Sequence, residues 1–145
     1  MRIGNLCSRS VHTVNAETPL VNAVREMHRH HIGSIIVTEE HGVTVRPIGI
    51  VTDRDVMRAE LTMSSDLFSL SAGDAMSKQL LTMSESTGLS EAIDALRRRG
   101  VRRAPVVNDM GGLCGIVTLD DLLPAVAQEL KELADLIGSQ SRRER

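Results

Sequence analysis

The chain repeats itself. Gly49-Ile50-Val51-Thr52-Asp53-Arg54-Asp55 returns 66 residues later as Gly115-Ile116-Val117-Thr118-Leu119-Asp120-Asp121. Upstream the echo runs at an offset of 69: Gly4 falls on Gly73, Ser8 on Ser77, Thr13 on Thr82, Thr18 on Thr87, Leu20 on Leu89, Ala23 on Ala92 and Arg29 on Arg98. The first copy therefore carries three extra residues within 39–47, where a hairpin loop of variable length is expected. Duplication on this scale means a duplicated structural unit, and each copy is too short to bury a comfortable core alone. The copies must pack on each other.

Within each copy the order of elements is strand, helix, strand, strand, helix, preceded by a short helical turn. Asn5 and Asp74 are N-cap candidates for turns at 6–9 and 75–78. Short strands are expected at 11–14 and 80–83. Thr18 reads as a cap with Pro19 at the first helical position. Leu20, Ala23, Val24 and Met27 then recur at helical spacing, as do Leu89, Ala92, Ile93 and Leu96. Gly100 suits a left-handed helix end, where the first copy has His31. Ile35–Val37 with Ile48–Val51, and Ala104–Val107 with Leu113–Val117, read as antiparallel hairpins. Pro105 belongs at a strand start or edge, since it cannot donate to a ladder. Each Thr-x-x-Asp opens a helix as a capping box. The last helix is expected over 119–137, with Pro124 kinking it or interrupting its first turns. Residues 62–73 form the linker, with Met63, Leu67, Phe68 and Leu70 available to tuck it onto the body.

The fold class expected is mixed α+β, two β-α-β-β-α motifs packed as a pseudo-twofold pair. The boundaries are 1–62, a linker at 63–73, 74–137, and a polar tail at 138–145.

A formal net charge of −2 argues against a general polyanion binder, so no nucleic-acid partner is expected. The start of the chain shows no apolar stretch of the signal-peptide kind, and no run is long enough to span a bilayer. A soluble, cytoplasmic protein is the expectation. Cys7 and Cys114 occupy unmatched places in the two copies and read as small buried residues rather than a disulfide.

The element order, the duplication and the paired Gly-Ile-Val-Thr-x-x-Asp segments resemble a tandem pair of CBS domains (cystathionine β-synthase domains), a Bateman module. The resemblance covers nearly the whole chain. It implies a regulatory module that binds an adenosine-containing ligand: AMP, ADP or ATP, with S-adenosylmethionine or NAD as further options, with or without Mg²⁺. It also implies a flat homodimer that signals to a separate effector protein, requiring no cofactor. Residue by residue, Asp55 and Asp121 match the aspartate that accepts bonds from both ribose hydroxyls. Thr52 and Thr118 match the hydroxyl residue near phosphate. The physics is compatible: a carboxylate accepts twice from a vicinal diol, and a helix N-terminus favours phosphate. The same Thr and Asp would also be chosen for helix capping with no ligand at all.

The copies differ in charge. Arg54 lies inside the first box, where the second has Asp120. Arg103-Ala104-Pro105 resembles the family's basic-x-Pro pattern, and Arg103 is either a phosphate contact or a solvated arginine. Adenine would be held by backbone and aliphatic walls around Val11, Thr13, Ile35 and Ile50 in one site. Leu81, Ala104, Pro105 and Ile116 would serve in the other. Phe68 is the sole aromatic residue of the Phe, Trp and Tyr class, so stacking on Tyr or Trp is excluded.

His28, Arg29, His30 and His31 close the first long helix. They read as a solvated helix end, a phosphate contact or pH-responsive group, or an incomplete metal set; no metal site is expected. Leu122, Leu123, Val126, Leu130, Leu133, Ala134 and Ile137 give the last helix an apolar face, which suits a dimer contact or packing on the protein's own surface. No nucleophile elbow, P-loop or metal-ligand set is present, so an enzyme is not expected. The alternative to a ligand sensor is an interaction scaffold with vestigial sites.

Overall fold

A computed structural model describes residues 1–63 and 66–143 of the chain. Its elements are α1 (Ile3–Leu6), β1 (Thr13–Asn15), α2 (Leu20–Arg29), β2 (Ser34–His41), β3 (Thr44–Thr52) and α3 (Asp53–Thr62) in the first repeat. The second runs α4 (Ala72–Ala75), β4 (Met83–Ser84), α5 (Leu89–Arg99), β5 (Arg103–Val107), β6 (Leu113–Thr118) and α6 (Leu119–Arg143). Each repeat makes a three-stranded sheet, β1-β2-β3 and β4-β5-β6. In each the first pair is parallel and the second an antiparallel hairpin. The three extra residues sit in the first hairpin, which turns at Gly42 (φ +63°). The mixed α+β class and the antiparallel hairpins are as the sequence indicates.

The helices form where the apolar period demands. Leu20, Ala23 and Met27 of α2 are buried, as are Leu89, Ala92 and Leu96 of α5. Ile93, placed on that stripe, is instead exposed. Gly100 ends α5 at φ +63°, and His31 takes the matching left-handed conformation at φ +54°, against the preference of a side chain bearing a Cβ.

The short N-terminal turns are the largest departure. They lie three residues earlier than the 6–9 and 75–78 spans, at Ile3–Leu6 and Ala72–Ala75. Asp74 is not an N-cap but the N3 partner of Ser71: Ser71 N–H donates to Asp74 Oδ2 (2.8 Å) and Asp74 N–H to Ser71 Oγ (3.2 Å). Asn5 lies within α1, and Arg2 occupies its cap position. These turns are donated across the molecule. Ile3 is wholly buried in the core of the second repeat, with Leu89, Leu96, Val106, Val117 and Leu122. Leu70, Ala72 and Ala75 complete the core of the first, with Leu20, Ile35, Val37 and Val51. The backbone bonds match one for one. Ile3 N–H donates to Thr87 O (2.8 Å) and Gly4 N–H to Glu85 O (2.8 Å), while Ala72 N–H donates to Thr18 O (2.8 Å) and Gly73 N–H to Ala16 O (2.9 Å). Each repeat thus closes on an arm of the other, and a division at the linker cuts through both cores.

The repeated glycines follow from this crossing. A Cβ on Gly115 would lie 2.7 Å from Cys7 Sγ and 2.8 Å from the Ser8 carbonyl oxygen; on Gly49 it would meet Met76, with Sδ at 2.5 Å. Beside them, Ser8 exchanges two backbone bonds with Ile116 (2.9 Å each), and Ser77 pairs with Ile50 in the same way (2.9 and 3.3 Å).

Four further expectations are corrected. The first strands begin at Thr13 and Met83 rather than at 11 and 80. Pro19 is the N-cap of α2; the Thr18 hydroxyl turns back to Asn15 Oδ1 (3.0 Å) and closes the preceding turn. In the linker Leu70 is buried and Leu67 packs on the core, but Phe68 is 75% exposed and Met63 is exposed as well. Helix α6 carries Pro124 without ending and continues through 138–143, where a polar tail was expected. Pro124 falls in the second turn, where it forfeits one backbone bond to the carbonyl of Asp120.

Candidate functional site

The first Thr-x-x-Asp segment folds as a full capping box, and the second makes the carboxylate half of one. In α3, Thr52 N–H and Oγ1 each donate to Asp55 Oδ2 (2.9 Å), and Asp55 N–H donates to Thr52 Oγ1 (3.2 Å). In α6, Thr118 N–H (2.9 Å) and Thr118 Oγ1 (3.2 Å) both donate to Asp121 Oδ2. In each box one carboxylate oxygen is committed to the cap. The other differs: Asp55 is 6% exposed and its Oδ1 lies 3.5 Å from Arg58 Nη1, whereas Asp121 is half-buried.

A groove of about 360 Å³ opens at the seam of the repeats beside the second box. One wall is Ser8, Ser10, Val11 and His12 of the first arm with Ile32, Gly33, Ser34 and Ile36; the other is Arg103, Ile116, Thr118 and Asp120. This volume is within the range of small-molecule sites. The walls come from both repeats. The arm crossing is the cause: it lays Ser8 against β6, where it pairs with Ile116, while His12 stays on its own repeat.

Of the residues singled out in the sequence, the groove gathers Val11, Arg103, Ile116 and Thr118. Asp121 stands behind Thr118, bonded to it. Arg103 reaches over the seam, its Nη1 donating to Ser34 Oγ (2.9 Å); positions 34 and 103 match between repeats, so the pair meets on the pseudo-twofold axis. Ile35 and Ala104 are at 1% and 0% exposure in the two cores, and Pro105 is fully buried. Thr13 faces a different depression, with Asn15, Thr38 and Glu40. Arg54 is exposed on α3.

Ile50 and Leu81 belong to the symmetry-related position. Ile50 pairs with Ser77, and Leu81 packs against the second core. There Arg99 Nη2 donates to the carbonyl of Gln79 (2.8 Å), tying down the segment that matches Ser10. Pro105 breaks the symmetry again. Ile36 N–H donates to His12 O (3.3 Å) in the first repeat, but Pro105 has no N–H to offer the matching Leu81 carbonyl.

Sequence reasoning missed Ser8, Ser10 and Ser34 as groove residues; His12 fell inside the 11–14 stretch and Asp120 was noted for its charge. The match of Ser8 to Ser77 was a visible signal; that the arm would cross was not. The His12 ring is stacked on His30, centroids 3.8 Å apart and planes 20° from parallel, and His30 Nε2 is 3.2 Å from Glu26 Oε2. The groove therefore has one planar aromatic wall after all. Among the described residues no group of three or more His, Cys, Asp or Glu is placed to hold a metal.

Cys7 and Cys114 are free thiols. Burial pushes both above the ordinary thiol range, with Glu85 adding to the effect at Cys114, and neither is poised as a thiolate nucleophile. No helix among the described residues is long and apolar enough to cross a membrane.

This double motif with crossed arms has a known family. The CBS domain profile matches the chain twice, over residues 3–62 and 72–128, and the chain belongs to that family. An uncharacterized protein of Methanopyrus kandleri, MK0525, is 33% identical over 121 residues, covering 83% of this chain and 60% of the relative. The CBS domain-containing protein YhcV of Bacillus subtilis is 32% identical over 124 residues, covering 86% and 83%. Among solved structures, the CBS domain pair of MJ0100, in complex with 5'-methylthioadenosine and S-adenosyl-L-methionine, superposes with a TM-score of 0.74 at 19% identity, over 89% of this chain and 98% of that one. At that identity the likeness is one of fold. The chain spans less than two thirds of the M. kandleri relative's length.

Proposed function

We propose that this CBS pair is a regulatory module that binds an adenine nucleotide in the groove between its repeats and passes the signal, as a homodimer, to a separate effector protein. The observation that carries the reading is the groove beside Thr118: hydroxyls, the N-terminus of a long helix and one guanidinium converge on a cavity with aliphatic sides. The N-terminal N–H groups of α6 and Arg103 suit phosphate, and the free oxygen of Asp121 suits a ribose hydroxyl. Asp120 at the same mouth disfavours a high negative charge, so a monophosphate such as AMP, or the cationic S-adenosylmethionine, suits it better than ATP. Mg²⁺ bound beside Asp120 would reverse that preference. Thr52, Arg54 and Asp55 form the lesser site, their carboxylate already enclosed. The adenosine-type ligands of the MJ0100 pair support the ligand class. A ligand can signal only through unequal affinity for two arrangements of the repeats.

The test is a thermal-shift panel with AMP, ADP, ATP, NAD, S-adenosylmethionine and GMP, with and without Mg²⁺, since binding to the folded state raises the melting temperature by mass action. An adenine ligand is expected to raise it, and Arg103→Ala and Asp121→Ala to abolish the rise. No shift with any ligand at millimolar concentration overturns the proposal and favours the scaffold reading.

A further inference from the structure

The first hairpin is the longer of the two, and its extra length overhangs a cavity. Strand β2 runs on to His41, whereas β5, its counterpart, stops at Val107, the residue that matches Thr38. Strand β1 ends at Asn15, opposite Thr38. Beyond that point β2 is paired with β3 alone, through Glu39 with Arg46, Glu40 with Val45 and His41 with Thr44. Beside this overhang lies a cavity of about 520 Å³, whose lining includes Thr13, Val14, Asn15, Thr38, Glu40 and Val45. It shares no lining residue with the groove at the seam of the repeats.

Strand pairing sets the chemistry of the cavity. Paired residues share a face, as do residues two apart, so Thr13, Asn15, Thr38, Glu40 and Val45 stand on one side of the sheet. Thr38 is the decisive residue. It is 8% exposed, and among the described residues its hydroxyl has no hydrogen-bond partner. The second repeat puts valine at this position, nearly the same shape without the hydroxyl. A polar atom so deeply placed costs stability unless something bonds it, and the cavity is the side from which a partner can reach it.

The neighbouring groups define that partner. Glu39 is engaged by His41 Nε2 (2.6 Å), but among the described residues Glu40 makes no ion pair and the Thr13 hydroxyl no hydrogen bond. An unneutralised carboxylate beside two open hydroxyls calls for a cation that donates hydrogen bonds. Val14 and Val45 flank these groups, which suits an aliphatic stem behind the charge; a bare metal ion would use none of that apolar lining. A guanidinium favours the two oxygens of one carboxylate in its own plane, whereas the acceptors here come from three separate side chains, which suits the three donors of an ammonium.

We propose that this cavity binds a primary alkyl-ammonium group, either a lysine side chain of a partner protein or a free aliphatic amine, with Glu40 as its counter-ion and Thr38 as an acceptor. The proposal is independent of any nucleotide.

The experiment follows backbone amide shifts of the full isotope-labelled chain by two-dimensional NMR. The probes are 1,4-diaminobutane and Nα-acetyl-lysine methylamide, with 1-butanol as the uncharged control. Both amines are expected to shift the amides of Asn15, Thr38, Glu40 and Val45 saturably at millimolar concentration, and butanol to leave them in place. Tighter binding of the blocked lysine names a protein side chain as the source, and tighter binding of the diamine names a free amine. Glu40→Gln is expected to weaken both by about tenfold or more, the scale of a hydrogen bond to a charged group. Thr38→Val, which copies the second repeat, is expected to weaken both severalfold while the rest of the spectrum, and so the fold, stays as it was. No saturable shift with either amine, equal shifts with butanol, or unchanged affinity in either variant overturns the proposal.

Discussion

Replacing Gly115 by alanine and Gly49 by alanine makes the same chemical change at the same place in the repeated motif, yet the structure assigns them different outcomes. The Cβ on Gly115 meets a backbone atom, the Ser8 carbonyl oxygen at 2.8 Å, as well as Cys7 Sγ at 2.7 Å. That carbonyl cannot swing away without breaking the bond it accepts from Ile116 N–H, and its neighbour N–H donates to the Ile116 carbonyl, both at 2.9 Å. Overpacking of this kind costs about 1–3 kcal/mol. Weakening two backbone bonds adds about 0.5–1.5 kcal/mol each. Restricting the unfolded chain returns about 0.4–1 kcal/mol. Gly115→Ala should therefore cost about 1–5 kcal/mol, centred near 3, equivalent to a fall of about 3–20 °C in melting temperature for a chain of this size. The Cβ on Gly49 meets only Met76, through Sδ, Cγ and Cβ, and a thioether arm can take another rotamer. Gly49→Ala should cost about 1 kcal/mol or less once the same unfolded-state gain is included. Urea unfolding followed by far-UV circular dichroism, with equal slopes for the three proteins, measures both. Equal losses, or a larger loss for Gly49→Ala, would refute the reasoning that the crossing arm is held by backbone at one site and by side chain at the other.

Ile3→Ala should cost about 2–4 kcal/mol, as for any deeply buried aliphatic side chain, and calorimetry should show one transition for both repeats rather than a second repeat melting early. The Ser71 cap holds Asp74 below the usual carboxylate range, through the backbone N–H first and the hydroxyl second. A depressed native value means stability present above the unfolded value of about 3.9 and lost as pH falls through the native one, so the gap in urea midpoint between wild type and Asp74→Asn should narrow below about pH 4. A constant gap would contradict the cap. Because burial raises both thiols, N-ethylmaleimide at pH 8 should label the native protein more slowly than the urea-unfolded chain; equal rates would show that the arm around Cys7 is open.

The elements were legible because their signals are local. Periodicity placed α2 and α5, Gly100 ended one of them, and Thr-x-x-Asp opened α3 and α6. The departures have non-local causes. Ile3 and Ala72 are fixed by cores that lie in the other repeat, and no window around either residue contains the partners. The groove's lining is non-local in the same way: Val11 and Ile116 are more than a hundred residues apart and meet because the arm crosses. The apolar face of α6 was legible in the sequence, but how little of it the body covers was not: only Leu122 and Ala125 of the helix are buried.

The exchange of arms also governs how the chain is made. When residues 1–62 have left the ribosome, the first repeat still lacks Leu70, Ala72 and Ala75, and the arm that carries Ile3 has nowhere to dock. The second core cannot close until the arm that carries Ile3, made well before it, returns to it. Synthesis of this protein therefore yields no finished half along the way: both repeats await residues of the other, and the nascent chain stays open until α6 is reached.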